Sequence, residues 1–204
     1  MKKNQLFALI FFSLSFLSLL FILPARQADN LYGSVIRIHV LANSDEKADQ
    51  ERKLLVRDRI LSFVKENLPE STSRKEAAEE IEKNIPKIIS LAEDTLKEAG
   101  SDEKVEAVLD REYYPTRQYE DFALPAGEYL SLRVMIGEAS GQNWWCVLFP
   151  PICINSALET DEALMKAGMS EKNVSTVTKK KGYVYRFKIL ELWQKSKKGF
   201  QELF

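Results

Sequence analysis

Between residues 35 and 149 the spacing of the apolar residues changes twice, and this pattern points to a sheet with helices packed on it. Val35 to Leu41 alternates around Arg37 and His39, the period of a strand with one buried face. Asn43-Ser44-Asp45 then turns the chain and caps a helix expected over 46–67, with Leu54, Ile60, Leu61, Val64 and Leu68 as its apolar stripe and Pro69 as its stop. A second helix opens on Ser73-Arg74-Lys75-Glu76, the pattern of a capping box. Its stripe of Ala78, Ile81, Ile85, Ile88, Ile89, Ala92 and Leu96 has the 3.6-residue repeat, Pro86 is expected to kink it, and Gly100 ends it.

The period then returns to two. Strands are expected over 104–110, 128–136 and 143–149, with turns at Pro125-Ala126-Gly127 and over 137–141. The aromatic stretch from Tyr113 to Tyr119 is broken by Pro115. One strand, two helices and three closely joined strands predict an α+β fold. Its small mixed or antiparallel sheet would carry the two main helices on one face. The globular domain spans 34–154. Residues 155–182 read as a polar surface segment with a short helix near 158–167, and 183–204 as a C-terminal helix docked on the domain, although Tyr183, Tyr185, Phe187 and Ile189 also alternate as a strand would.

Residues 1–28 follow another rule. Lys2 and Lys3 precede an uncharged run from Leu6 to Leu23, ended by Pro24, Ala25 and Arg26. A basic start, an apolar run and a small residue after it read as a secretory signal. The run is also long enough to stay as an N-terminal membrane anchor, with membrane contact through residues 6–23. Cleaved or retained, it sends the following domain to the extracytoplasmic side through the export machinery. A net charge of −1 gives no field that would draw nucleic acid. Two cysteines and one histidine leave little material for a metal site, and no cofactor is expected.

The least ordinary stretch runs from Trp144-Trp145-Cys146 to Pro150-Pro151-Ile152-Cys153. Proline cannot donate to a sheet ladder, so Pro150-Pro151 should end the strand. A turn centred on Phe149 and Pro150 would set Cys146 opposite Cys153, within reach of a disulfide in an oxidising compartment. Two buried thiols are the other reading. The tandem tryptophans should point to opposite faces, so that one anchors a contact or both pack the core. Trp144, Trp145, Phe149 and Pro150 are therefore candidate partner contacts. Gln50, Lys53 and Arg57 share one helix face and form a second candidate contact, or else a solvated salt-bridging surface. A Cys-His hydrolase acting on envelope material, with His39 as base for Cys146 or Cys153 and Asn43 as orienter, is the enzymatic alternative.

Two blocks of residues carry a resemblance. The first is Ile36-Arg37-Ile38-His39-Val40-Leu41-Ala42-Asn43-Ser44-Asp45, with Asp49-Gln50, Lys53 and Val56-Arg57-Asp58. The second comprises Tyr114-Pro115-Thr116, Leu124-Pro125-Ala126-Gly127-Glu128-Tyr129, and Gly141-Gln142-Asn143-Trp144-Trp145-Cys146 through Cys153. Both resemble the stage II sporulation protein R family of endospore-forming bacteria. The resemblance implies export from the forespore into the septal intermembrane space. There a membrane-embedded aspartic protease would be triggered to remove the pro-sequence of sigma-E. It implies no enzymatic activity and brings no catalytic residue with it.

Overall fold

The computed structural model describes residues 5, 7, 11–15, 32–67, 73–119, 122–152, 160–166 and 168–178. Among the described residues there are six strands: β1 (Ile36–Leu41), β2 (Val105–Tyr114), β3 (Arg117–Gln118), β4 (Ala123–Leu124), β5 (Gly127–Ile136) and β6 (Asn143–Phe149). Two long helices, α1 (Lys47–Asn67) and α2 (Arg74–Glu98), are joined by two short ones, α3 (Thr160–Lys166) and α4 (Glu171–Thr178). The fold is α+β with a mixed four-stranded sheet of order β2-β5-β1-β6. The central strand β1 runs parallel to β5 and antiparallel to β6, while β2 is antiparallel to β5. β3 and β4 form a separate two-stranded ribbon.

Strand alternation divides the side chains between two layers. Ile36, Ile38 and Val40 of β1, Leu132, Val134 and Ile136 of β5, and Cys146 and Leu148 of β6 meet Val56, Ile60, Val64, Ile81, Ile88 and Leu96 of α1 and α2. On the opposite face, Val35, Tyr114, Tyr129 and Val147 pack with Phe122, Leu124, Leu164, Met169, Val174 and Val177. Helices were expected on one face only. The polar segment after residue 155 instead contributes α3 and α4, whose few apolar residues suffice to cover part of the second face.

Local chemistry explains the element ends. Ser73 accepts the Glu76 amide at 3.3 Å and Glu76 accepts the Ser73 amide at 2.9 Å, closing the capping box of α2. At the other end Gly100 takes a φ of +74°, with its amide on the Lys97 carbonyl and the Ser101 amide on the Leu96 carbonyl, a Schellman closure. Pro86 lies exposed inside α2, and the helix continues through it. β2 extends to Tyr114, where Pro115 ends it, four residues beyond the expected end at 110. The stripe of α1 departs from expectation at its start. Val56 is fully buried and Leu54 is 38% exposed, so the face turns toward Lys53 and Val56.

Few residues of the N-terminal run are described: 5, 7 and 11–15 are helical, and Phe7, Phe11, Phe12 and Leu14 are exposed. Among the described residues no helix is long and apolar enough to cross a membrane. The rest of the expected export segment 1–28 and the expected C-terminal helix 183–204 lie outside the described residues, as does Cys153.

Candidate functional site

The Asn43-Ser44-Asp45 block forms a polar clamp. Asp49 accepts from Ser44 Oγ at 2.7 Å, Asn43 Nδ2 at 2.9 Å and Arg52 Nη1 at 3.0 Å. These donors, Ser44 foremost, hold its carboxyl below the usual aspartate range against the opposing effect of burial. Asn43 Oδ1 accepts the Glu138 amide at 2.9 Å, and Asp45 Oδ1 accepts the Gln142 amide at 2.7 Å. The turn after β1 is thus locked to the turn between β5 and β6. Gly141 is required at the joint, because a Cβ there would collide with the Ser44 carbonyl.

Gln50, Lys53 and Arg57 belong to the same region, but not as a solvated face. Gln50 Nε2 donates to the Ser44 carbonyl at 2.8 Å. Lys53 is 5% exposed and donates to Gln50 Oε1 at 2.6 Å and to the Gln142 carbonyl at 2.7 Å. Burial, with help from the Arg57 charge, lowers the Lys53 pKa from its ordinary value. The Arg57 guanidinium lies 5.0 Å from the Trp144 ring centroid.

The tandem tryptophans point to opposite faces, and each is half-buried rather than one buried and one exposed. Trp144 packs toward the α1 and α2 layer, and Trp145 toward the second face. Phe149 and Pro150 are buried, Phe149 in the helix-facing core, so neither offers contact area to a partner in this conformation. The Phe149–Pro150 peptide is cis.

The second face carries the chemistry. Arg37 is fully buried, with its guanidinium carbon 3.9 Å from the Tyr114 centroid, 5.0 Å from Tyr129 and 5.9 Å from Tyr119. Its Nη2 donates to the Tyr119 hydroxyl, while Nε and Nη1 are buried without a hydrogen-bond partner. Burial raises the pKa of all three tyrosines, which therefore stay neutral. Tyr114 and Ser131 share a hydrogen bond of 2.6 Å between hydroxyls.

Two residues further along β1, on the same face, His39 is almost enclosed. Its Nδ1 lies 2.7 Å from Glu112 Oε1 and its Nε2 2.9 Å from Asn143 Oδ1. Burial pushes the Glu112 carboxyl up, but its hydrogen bond and charge interaction with His39, a hydrogen bond from Ser131 and the Arg133 charge together leave it lowered. Arg133 stands directly opposite His39 on β5, Trp145 directly opposite on β6, and the Arg117 guanidinium stacks on Trp145 at 3.7 Å. Glu112, Arg117, Ser131 and Arg133 escaped sequence reasoning, and Tyr114 and Tyr129 entered it only within the blocks that carry the family resemblance. Their only signal was polar or aromatic residues at the alternate positions of otherwise apolar strands.

This geometry overturns the Cys-His hydrolase. His39 and Cys146 lie on neighbouring strands but opposite faces, since His39 pairs with Trp145 and Ile38 with Cys146. Cys146 is disulfide-bonded, so it supplies no thiolate, and the chain has only one other cysteine. Asn43, the expected orienter, is spent on the Asp49 clamp. Among the described residues no group of three His, Cys, Asp or Glu residues comes together to hold a metal ion.

Comparison with known proteins bears on this arrangement. The profile of the family described as stage II sporulation protein R matches residues 32–159. Stage II sporulation protein R of Bacillus subtilis (strain 168) is 32% identical over 151 residues, covering 71% of this chain and 67% of that protein. No solved structure matches the chain significantly.

Proposed function

Since the chain belongs to the stage II sporulation protein R family, we propose that it is an exported signalling protein of sporulation. In this reading it activates a membrane-embedded aspartic protease and so starts processing of pro-sigma-E across the septum. The family match carries the reading, because it covers the whole sheet and both long helices. The uncharged run from Leu6 to Leu23 supports export, into the septal space if cleaved or onto the membrane if retained.

The protein acts as a ligand. It binds the extracytoplasmic side of the protease and favours the active conformational or oligomeric state. That requires a higher affinity for the active state than for the inactive one, since equal affinity shifts nothing. The contact surface includes Trp144 with Arg57, and Trp145 with Arg117, where among the described residues half-buried indoles lie beneath arginines.

Reconstitution in a non-sporulating host tests this. The protease, its pro-sigma substrate and the chain are co-expressed, with and without residues 1–28. Processing should require the chain and should fall when residues 1–28 are deleted. Processing that proceeds equally without the chain would end the proposal.

A further inference from the structure

Three arginines on the second face of the sheet share an unusual condition. Arg37, Arg117 and Arg133 each have a buried Nε without a hydrogen-bond partner. None of the three forms an ion pair with a carboxylate among the described residues. Glu112, a carboxylate of this layer, has Oε1 2.7 Å from His39, while its Oε2 is buried without a hydrogen-bond partner and its charge interacts with that of Arg133. Buried guanidinium groups normally acquire a carboxylate or a full set of acceptors, because an unpaired buried charge is costly. Here Arg37 has the Tyr114 ring face and the Tyr119 hydroxyl, Arg117 has the Trp145 ring face, and Arg133 has the Glu112 charge in its surroundings.

The placement is ordered. Arg133, His39 and Trp145 form one row across β5, β1 and β6, with Arg117 lying on Trp145. Strands spaced by ~4.8 Å put the two ends of that row about 10 Å apart. Arg117, Arg133 and Trp145 are each partly exposed, whereas Arg37 lies fully buried in the adjacent row. Asp110 and Glu106 share this face but stand exposed on the outer strand β2, so an approaching anion is repelled from that side and directed toward β6.

We propose that this row is a recognition site for an acidic segment of a protein partner, with carboxylates on Arg117 and Arg133 and an apolar contact on Trp145. Carboxylates supply the charge partners that Arg117 and Arg133 lack among the ion pairs of the described residues, meeting the partly exposed part of each side chain in the paired geometry a guanidinium prefers. A row about 10 Å long that includes an indole suits a peptide with two acidic side chains better than a single small anion. The proposal rests on the reading of the chain as a protein ligand and specifies which surface it uses.

The test is titration of the full chain with hexaglutamate, followed by tryptophan fluorescence, with hexalysine and inorganic phosphate as comparison probes. Saturable quenching by hexaglutamate that weakens with added salt is expected. Affinity should fall at least about tenfold in Arg117→Gln/Arg133→Gln. It should fall in Arg117→Lys/Arg133→Lys as well, which keep the charge but lose the paired donors, though less than in the glutamine variant, and stay unchanged in Lys75→Gln/Lys83→Gln, whose lysines are exposed on α2. If the double glutamine variant unfolds, Arg133→Gln alone must still show the loss. No saturable binding, equal binding by the glutamine variants, equal binding of hexalysine, or phosphate binding as tightly at the same arginines would each overturn it. No protease is present, so failure here leaves the signalling role standing. Conversely, loss of processing in the reconstituted host leaves peptide recognition untouched.

Discussion

His39 and Glu112 are joined across 73 residues of sequence by a 2.7 Å contact on a nearly enclosed strand face. Replacing Glu112 by Gln keeps the shape and removes the charge. The variant should lose about 2 kcal/mol at neutral pH, measured by denaturant midpoint. Because the folded carboxyl titrates below its ordinary value of 4.5, its contribution is complete above that value. It is lost as pH falls through the lower folded value. The difference between wild type and Glu112→Gln should therefore shrink in acid, and a difference independent of pH would contradict the assignment. Lys53 shows why such residues were hard to read. The helix period placed it correctly beside Gln50 and Arg57, yet nothing local indicates that its partner is a carbonyl 89 residues away. The same holds for Arg37, whose aromatic surroundings come from β2, β5 and Tyr119.

Elements were more legible than sites, because their signals are local. Ser73 and Glu76 forecast the start of α2, and both reciprocal bonds are made. Ser73→Ala should cost about 1 kcal/mol, read as a lower thermal midpoint. Pro86 is the opposite case: it interrupts an exposed stretch of α2 where the missing amide serves no partner. Pro86→Ala should raise stability by about 1–3 kcal/mol, and an unchanged or lower midpoint would mean that the proline has a structural role. Strand β6 was legible to the residue, 143–149, since alternation and Pro150 bound it on both sides. Which side each tryptophan meets was not, because the facing layers come from other parts of the chain. Of the short helices, α3 falls within the helix expected near 158–167, whereas α4 was not foreseen, because eight residues carry little of a periodic stripe and its anchoring rests on single residues such as Val174.

For the molecule as a whole, the class was readable from the order of periods, and the mixed strand order was not. A chain of one strand, two helices and three strands is compatible with several sheets, and only the paired registers select β2-β5-β1-β6. None of the described cysteine is free. The unreduced, denatured protein should therefore take up no iodoacetamide, and any labelling of Cys146 would contradict its bonded state. The central position of β1 has a further consequence, for the timing of folding. The first strand made is the one that both β5 and β6 must flank, and its contact with Asn143 spans 104 residues. Contacts that distant delay barrier crossing, and no partial product ending before residue 127 can assemble the sheet's centre. During synthesis or threading through a narrow passage, the chain would stay loose until nearly the last strand has arrived. Such late closure is compatible with the export proposed above, in which a chain crosses as a thread and takes its shape on arrival.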